Sequence, residues 1–291
     1  MENTIPSILV PIDFSDQSAI ALEQSLPLAK ISNSKVVLLH VLRVSKTWLG
    51  IFSSEEQYEL KDKITKRLQD MASEAASRSG VVVQSMVRDG KLLETILQVS
   101  SELKTHLIVV GTHPSNNFRQ KLMGHNAYRL VKESECPVLT IKGKHHKHTC
   151  ENIILPLDLT KETREKVSNA IYYAKAFNAK IHTVSVITTK SDELKKKLHA
   201  QMKMVVKHIQ QQGVACAWNV LSVKNESEKI AQRLLEYAKE KDADLLVIMT
   251  QQEMEIAGYL IGSTAAEIIS TSEIPVLSIN PKFKYKYSPI I

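Results

Sequence analysis

The chain has 291 residues, of which 43% are hydrophobic and 24% are charged, and its formal net charge is +7. This length accommodates two domains of ordinary size, and the composition is that of a soluble globular protein. No apolar run reaches membrane-spanning length, and the chain does not open with a basic region followed by a long apolar core. We therefore expect neither a membrane segment nor a secretory signal.

The cysteines indicate the cellular compartment, and the absence of common enzyme motifs limits the classes of activity. Cys136, Cys150 and Cys216 show no framework spacing, which fits a reducing compartment and predicts a cytoplasmic protein. The sequence contains no G-x-x-x-x-G-K-[ST], H-E-x-x-H, G-x-S-x-G or C-x-x-C motif. We therefore assign no catalytic residue and no metal ligand, and a dedicated metabolic enzyme is the least favoured class.

The first predicted element is a strand over residues 8–12 that runs into Asp13. Ser15 is a candidate N-cap for the helix that follows, and Pro27 predicts a kink or an early stop in that helix. Next come a strand at 36–42, a strand at 81–87 and a helix at 92–99. Between the two strands, a spacing of 4, 4, 3 and 4 predicts one buried helix face, formed by Leu60, Ile64, Leu68, Met71 and Ala75.

The stretch from Thr105 to Lys142 completes this series. An apolar run at 107–110 indicates a buried strand that ends at Gly111, and a polar loop leads through Gly124 to a helical pattern and a strand at 138–141. A strand, a glycine-bearing loop and a helix start make a candidate anion site, because first-turn N–H groups and the helix dipole favour phosphate. The alternative is an ordinary βα connection whose glycines serve only to turn the chain.

The same stretch occurs again at residues 243–280. Gly124 pairs with Gly262 and Pro137 pairs with Pro275, and the two pairs have the same separation along the chain. Several matches at one separation indicate a duplication. Each copy has the order βαβαβαβαβ.

Alternating strands and helices predict an α/β fold with a parallel sheet covered by helices on both faces. We expect two such domains in tandem, over residues 1–143 and 150–291. Ligands of these sheets bind beyond the carboxyl ends of the strands, where the strand order reverses. Asp13 and Gly111 each end a strand, so we expect them to meet at that edge, and Asp158 is the counterpart of Asp13.

Two basic segments lie outside the repeated elements. The segment 143–149 contains three histidines, and we interpret it as a solvated linker rather than a loose metal site. The tail after Pro281 alternates basic and aromatic residues, which suits either nucleic acid or an arm on a partner subunit. We favour the arm because no other nucleic-acid motif is present.

Taken together, the motifs resemble a tandem universal stress protein. The resemblance rests on ILVPIDFS with its repeat IILPLDLT, on LLHVL and LIVVGTH, and on MGHNAYRLVKESECPVLTI with its repeat IGSTAAEIISTSEIPVLSI. It covers nearly the whole chain and implies two tandem doubly wound domains, each a five-stranded parallel sheet flanked by helices. In ATP-binding members, an aspartate after the first strand holds the adenosine end. A G-x-x-G motif followed after nine residues by G-[ST] holds the ribose and phosphates.

The resemblance implies an ATP site, with or without Mg²⁺, in the first domain. Asp13 matches the aspartate and Val41 the apolar contact to the base, while Gly111 and Gly124 match the first and third glycines. The nucleotide-contacting residues expected here are Pro11, Ile12, Asp13, Val41, Gly111, Thr112, Gly124, His125 and Asn126.

Both domains depart from that pattern. In the first, Pro114 replaces the second glycine and His125 replaces the small hydroxyl residue. In the second, Met249 and Gln252 replace the first two glycines, so a full side chain stands where glycine allows a close approach. The weaker candidate site there comprises Asp158, Gly262 and Ser263.

Two classes of function stay open. The first is a stress regulator that binds ATP in the N-terminal domain and hydrolyses it slowly or not at all. The second is a nucleotide-free stress-response protein, in which the fold serves pairing and binding of a regulatory protein partner. The sequence identifies neither that partner nor the inducing stress.

The resemblance also implies pairing, because single domains of the family commonly pair through the strand after the CPVL-type turn. Here those strands are 138–141 and 276–279, and such apolar open edges invite pairing. The seven-residue linker spans about 23 Å at ~3.3 Å per residue, and a tether of this kind gives an effective concentration in the millimolar range. We predict that the two domains pair within one chain, leaving the tail for a homodimer contact.

Overall fold

The computed structural model describes residues 5–42, 54–112, 125–143, 149–157, 163–187, 191–223, 229–250 and 262–280. The centre of the linker, residues 144–148, and the tail from Pro281 onward lie outside these ranges, as do Gly124 and Asp158. The described residues form ten strands and eight helices.

The first half alternates strands and helices as the sequence predicts. Its elements are β1 (Ser7–Pro11), α1 (Asp16–Ile31), β2 (Lys35–Leu42), α2 (Ser54–Ser79), β3 (Val83–Asp89), α3 (Leu92–Glu102), β4 (Leu107–Gly111), α4 (His125–Glu133) and β5 (Val138–Ile141).

The second half repeats the same order. Its elements are β6 (Asn152–Pro156), α5 (Thr163–Phe177), β7 (Lys180–Ile187), α6 (Asp192–Gln211), β8 (Cys216–Ser222), α7 (Ile230–Glu240), β9 (Leu245–Met249), α8 (Ser263–Thr271) and β10 (Val276–Ile279).

All ten strands belong to one sheet, in the order β3-β2-β1-β4-β5-β10-β9-β6-β7-β8. Within each half the five strands run parallel. The halves meet where β5 and β10 pair antiparallel, with Leu139 opposite Leu277. The predicted five-stranded parallel sheets are confirmed, and the two expected edge strands pair within the chain.

The helices cover both faces of this sheet, so each half is doubly wound. The first core cluster packs under α1, α2, α5 and α6 and includes Ile8 and Ile153, whereas the second packs under α3, α4, α7 and α8 and includes Leu9 and Ile154. Adjacent residues fall in different clusters because successive strand side chains point to opposite faces. Leu139 and Leu277 share the first cluster, so the core continues across the junction of the halves.

Two reciprocal hydrogen bonds also join the halves. Lys142 Nζ donates to the carbonyl of Ser270 in α8 at 2.7 Å, and Asn280 Nδ2 donates to the carbonyl of Lys132 in α4 at 2.8 Å. Lys142 and Asn280 occupy matching positions of the two copies, as do Lys132 and Ser270. Each donor meets the carboxyl end of a helix, where unpaired carbonyls and the helix dipole favour a donor or a cation.

Two local expectations are not met. The early stop considered at Pro27 does not occur, because helix α1 continues through Pro27 to Ile31, whereas the alternative of a kink stays a prediction. Leu26, Leu28 and Ala29 on either side of the proline are buried, and this packing outweighs the loss of one backbone hydrogen bond. Leu60 was expected on the buried face of α2, but its side chain is 37% exposed because it lies near the start of the helix, ahead of the buried positions Leu68, Ala72 and Ala75.

Candidate functional site

The candidate site lies where the strand order of the first half reverses. Strand β1 pairs with β2 on one side and with β4 on the other, so the chain leaves β1 and β4 towards different neighbours. Ile8 is level with Leu107, and continuing this register brings Pro11, Ile12 and Asp13 level with the end of β4, Val110 to Thr112. The structure therefore brings these sequence-predicted residues together at the carboxyl edge of the sheet.

Asp13 is fixed by the start of α1. Its Oδ1 accepts a hydrogen bond from the backbone N–H of Ser15 at 3.0 Å and another from the Ser15 hydroxyl. Ser15 is also the N-cap of α1, because its hydroxyl oxygen accepts the N–H of Ser18. The carboxylate thus lies at the start of α1, at the positive end of its helix dipole.

The turn after β1 is built around Phe14, which sequence analysis did not single out. Phe14 adopts φ +63°, in the left-handed region that non-glycine residues rarely use. Its ring lies 4.9 Å from the His40 ring, and the Arg67 guanidinium lies 4.4 Å from its centroid. His40 also bonds the carbonyl of Ile12 through Nδ1 at 2.7 Å, so the stack holds the backbone on both sides of Asp13.

Gly111 owes its identity to helix packing. A Cβ at this position would lie 2.2 Å from the backbone oxygen of Gln17, in the first turn of α1. Gln17 is itself 6% exposed, and its Nε2 donates to the carbonyl of Gly143 at 3.2 Å. The glycine lets α1 lie directly on the end of β4, a requirement that the motif alone does not reveal.

Thr112 ties the ends of β4 and β5 together. Its N–H and its hydroxyl both donate to the carbonyl of Ile141, at 2.8 and 3.2 Å. Thr250, the matching residue of the second copy, makes the same pair of bonds to Ile279 at 3.0 and 3.3 Å. Because both halves keep this arrangement, the Thr112 hydroxyl serves the sheet in this structure.

The remaining first-half residues are described only in part. Val41 is 8% exposed and belongs to the second core cluster beside α3, the cluster that also contains Leu9 of β1. His125 and Asn126 begin α4, but their side chains lie outside the described residues, as does Gly124 altogether.

The second half has a different carboxyl edge. Met249, at the position of Gly111, is 6% exposed and packs in the first core cluster. Gly262 is the N-cap of α8, with φ −54° and ψ 142°, and no described residue lies within 4 Å of a Cβ built on it. Ser263 follows as the first residue of α8.

A buried lysine also stands at this edge, and sequence analysis missed it. Lys166 of α5 is only 4% exposed, and its Nζ donates to the carbonyl of Pro156, the last residue of β6, at 3.0 Å. When Asp13 is aligned with Asp158, the matching residue in α1 is the fully buried Ala21. The only sequence signal was a lysine at a helix position where the first copy has alanine.

Neither a metal cluster nor a membrane span emerges from the part of the chain that the structure describes. There, no group of three or more His, Cys, Asp or Glu residues is arranged to hold a metal ion. No helix in the same ranges is both long and apolar enough to cross a membrane. The histidines of the linker centre lie outside these ranges.

Comparison with known proteins gives the same two units. The model of the universal stress protein family matches residues 4–142 and 149–280. Universal stress protein YxiE of Bacillus subtilis is 29% identical over 144 residues, which is 46% of this chain and 97% of that protein. Universal stress protein MJ0531 of Methanocaldococcus jannaschii is 30% identical over 148 residues, which is 48% of this chain and 84% of that protein.

Solved structures match over both halves at once. A universal stress protein from Archaeoglobus fulgidus superposes with a TM-score of 0.75 at 18% identity, covering 94% of this chain and 96% of that one. A putative universal stress protein from Pseudomonas aeruginosa superposes with a TM-score of 0.68 at 20% identity, covering 95% and 93%. At these identities the likeness concerns the fold alone. With two consecutive family matches along its length, the chain belongs to the universal stress protein family.

Proposed function

We propose that the first half of the chain binds ATP at the carboxyl edge of β1 and β4, with little or no hydrolysis, and that the protein acts as a stress-response regulator. The observation that carries this proposal is Asp13, which is held by Ser15 and the start of α1 at the point where the strand order reverses. Open α/β sheets bind their ligands at such points.

The nucleotide would span this edge from Asp13 to the start of α4. The adenosine end lies near Asp13 and Val41, and the phosphates lie near Gly124 and the first-turn N–H groups of α4, which begins at His125. Such N–H groups and the helix dipole favour an anion. Mg²⁺ would accompany the phosphates and neutralise part of their charge.

The packing around Gly111 sets a limit on this fit. The space beside its Cα is already filled by the main chain of Gln17, so the ligand does not approach from that side. The grip on the nucleotide therefore depends on Asp13 and the start of α4 more than on the first glycine. We expect slow turnover or none because no positioned acid or base is assigned at this edge.

The second half acts as a structural partner in this proposal. Met249 fills the glycine position with a buried side chain, and Lys166 places its own ammonium group at the end of β6. The same observations favour the alternative function, a nucleotide-free interaction protein. If both halves had diverged in this way, the fold would serve only domain pairing and partner binding.

A matched pair of variants separates the two functions. The protein is purified without added nucleotide and denatured, and the released adenine nucleotide is measured by absorbance and chromatography. ATP affinity is then measured by calorimetry for the native chain, Asp13→Ala and the second-half control Asp158→Ala.

The ATP proposal predicts at least tenfold weaker binding in Asp13→Ala and no change in Asp158→Ala, since only the first site is used. Gly124→Val should abolish binding through its added side chain. Undetectable ATP binding in the native chain, or equal affinities for all variants, would instead support the nucleotide-free alternative.

A further inference from the structure

A cavity of about 200 Å³ lies at the junction of the two halves, on the face covered by α1 and α5. Both halves contribute to its apolar lining, which includes Leu28, Leu139, Tyr173, Phe177 and Leu277. Leu139 and Leu277 are the directly opposed residues of β5 and β10, so the cavity lies against the antiparallel strand pair. It is separate from the carboxyl edge that carries Asp13.

The lining of this cavity departs from the internal symmetry of the chain. With the two copies aligned at Asp13 and Asp158, Pro27 matches Tyr172 and Ser32 matches Phe177. On the symmetry-related side, Tyr172 and Ser32 occupy these positions. At the cavity, Pro27 and Phe177 take these places. A proline ring is smaller than a tyrosine and has no hydroxyl, so α1 presents a smaller side chain to the cavity than α5 presents at the matching position.

The charge at the mouth is also specific to this side. The ionised side chains that line the cavity are Asp242, Asp244 and Glu273, and no lysine or arginine of the described ranges joins them. At the matching positions of the first copy, Lys104 and His106 replace the two aspartates. In a chain with a net charge of +7, this cavity is therefore an acidic exception.

We propose that this cavity binds a small organic cation, an ammonium group carried on an apolar body the size of a phenyl ring with a short chain. An apolar cavity of about 150 Å³ holds a benzene molecule, so the present volume accommodates a ring with two or three further atoms. The ring packs among Leu28, Tyr173 and Phe177, and the ammonium points to Asp242 and Glu273. Both halves contact the ligand, so binding also stabilises their junction.

The test uses 2-phenylethylamine as the probe and calorimetry on the full chain. Two compounds with the same ring, 2-phenylethanol and phenylacetate, serve as the neutral and anionic controls. We expect the amine to bind at least tenfold more tightly than the alcohol, and we expect no detectable binding of the carboxylate. Equal binding of the three compounds, or no binding of the amine at millimolar concentration, would overturn the proposal.

Variants locate the site. Leu28→Tyr copies the matching residue Tyr173 into α1 and should fill the cavity, which weakens amine binding at least tenfold. Ile31→Tyr, at a 40% exposed position of the same helix outside the cavity, is the matched control and should bind like the native chain. Unchanged binding in Leu28→Tyr would contradict the assignment.

Glu273→Gln provides a second test that does not depend on the core. Because the Glu273 side chain is exposed, the substitution leaves the core packing unchanged. It should reduce the preference for the amine over the alcohol while leaving the affinity for the alcohol unchanged. If the preference persists in full, the acidic mouth does not select the ligand and the proposal fails.

Discussion

The two halves of the chain keep the same scaffold and differ at the edge where a ligand would bind. Three features occur at matching positions in both halves. These are the strand order, the bonds of Thr112 and Thr250 to the neighbouring strand, and the reciprocal contacts of Lys142 and Asn280. At the carboxyl edge, Gly111 of the first half corresponds to the buried Met249 of the second. The contacts that build the sheet are thus common to both copies, whereas the carboxyl edges are not.

The difference extends to charge. The second half places the Lys166 ammonium at the end of β6, where the first half has the buried Ala21, whereas Asp13 and Asp158 are common to both sequences. The second edge thus carries a buried apolar side chain and a cation that the first edge lacks. Under the function proposed above, one half would hold the ligand and the other would support the assembly.

The largest expected effect comes from alanine at Gly111, and Gly262 of the second half serves as the comparison. In Gly111→Ala the new Cβ meets the main chain of Gln17 at 2.2 Å, and the cost should be about 3 kcal/mol of unfolding free energy. In Gly262→Ala the Cβ meets no described residue within 4 Å, and the cost should stay below about 1 kcal/mol. Urea denaturation measures both, and equal losses would show that Gly111 is not held by helix packing.

Acid should weaken the first half through His106. Burial lowers the pKa of His106 to about 4. Its Nδ1 has no hydrogen-bond partner among the described residues. The unfolded chain takes up this proton at about pH 6.5, so the neutral ring contributes its full stability above that pH.

This contribution is lost as the pH falls from about 6.5 towards 4, and it amounts to at most about 3 kcal/mol. The second half has Asp244 at the matching position, so it has no histidine there whose protonation would destabilise it. Urea denaturation at pH 7.5 and pH 4.5 should therefore show a larger loss for the native chain than for His106→Gln. Identical pH dependence of the two proteins would show that His106 does not cause the loss of stability in acid.

A smaller effect is expected at the cap of α1. Ser15→Ala removes the hydroxyl that accepts the Ser18 N–H and contacts Asp13, at a cost of about 1 kcal/mol. The control is Ser168→Ala in α5, where an exposed hydroxyl bonds only within its own helix, and it should cost under about 0.5 kcal/mol. Thermal denaturation distinguishes them, and a silent Ser15→Ala would mean that the cap does not hold Asp13.

The fold could be predicted from the sequence because local patterns indicate its strands, its helices and its repeat. Apolar runs gave the strands, motifs that recur at a constant separation gave the duplication, and the apolar strands at 138–141 and 276–279 gave the internal pairing. The early stop considered at Pro27 does not occur, because the tertiary packing of Leu28 and Ala29 outweighs the local preference of proline for ending a helix.

The candidate site was harder to predict from the sequence because the contacts that shape it join residues far apart in the chain. Position 111 requires glycine because the main chain of Gln17 packs against it. Gln17 is far away in the sequence and contacts Gly111 only in the folded protein. The left-handed turn at Phe14 depends on His40 and Arg67 from other elements. Lys166 looked like any exposed helical lysine until its burial was known.

The number of ATP molecules bound per chain tests the division of labour between the halves most directly. Calorimetric titration of the full-length protein with ATP in the presence of Mg²⁺ gives this number without any mutation. We predict one molecule per chain, bound in the half that carries Asp13. A stoichiometry of two would contradict the account because it requires a working site beside Met249 and Lys166, and a stoichiometry of zero would contradict it by leaving the first half without its ligand.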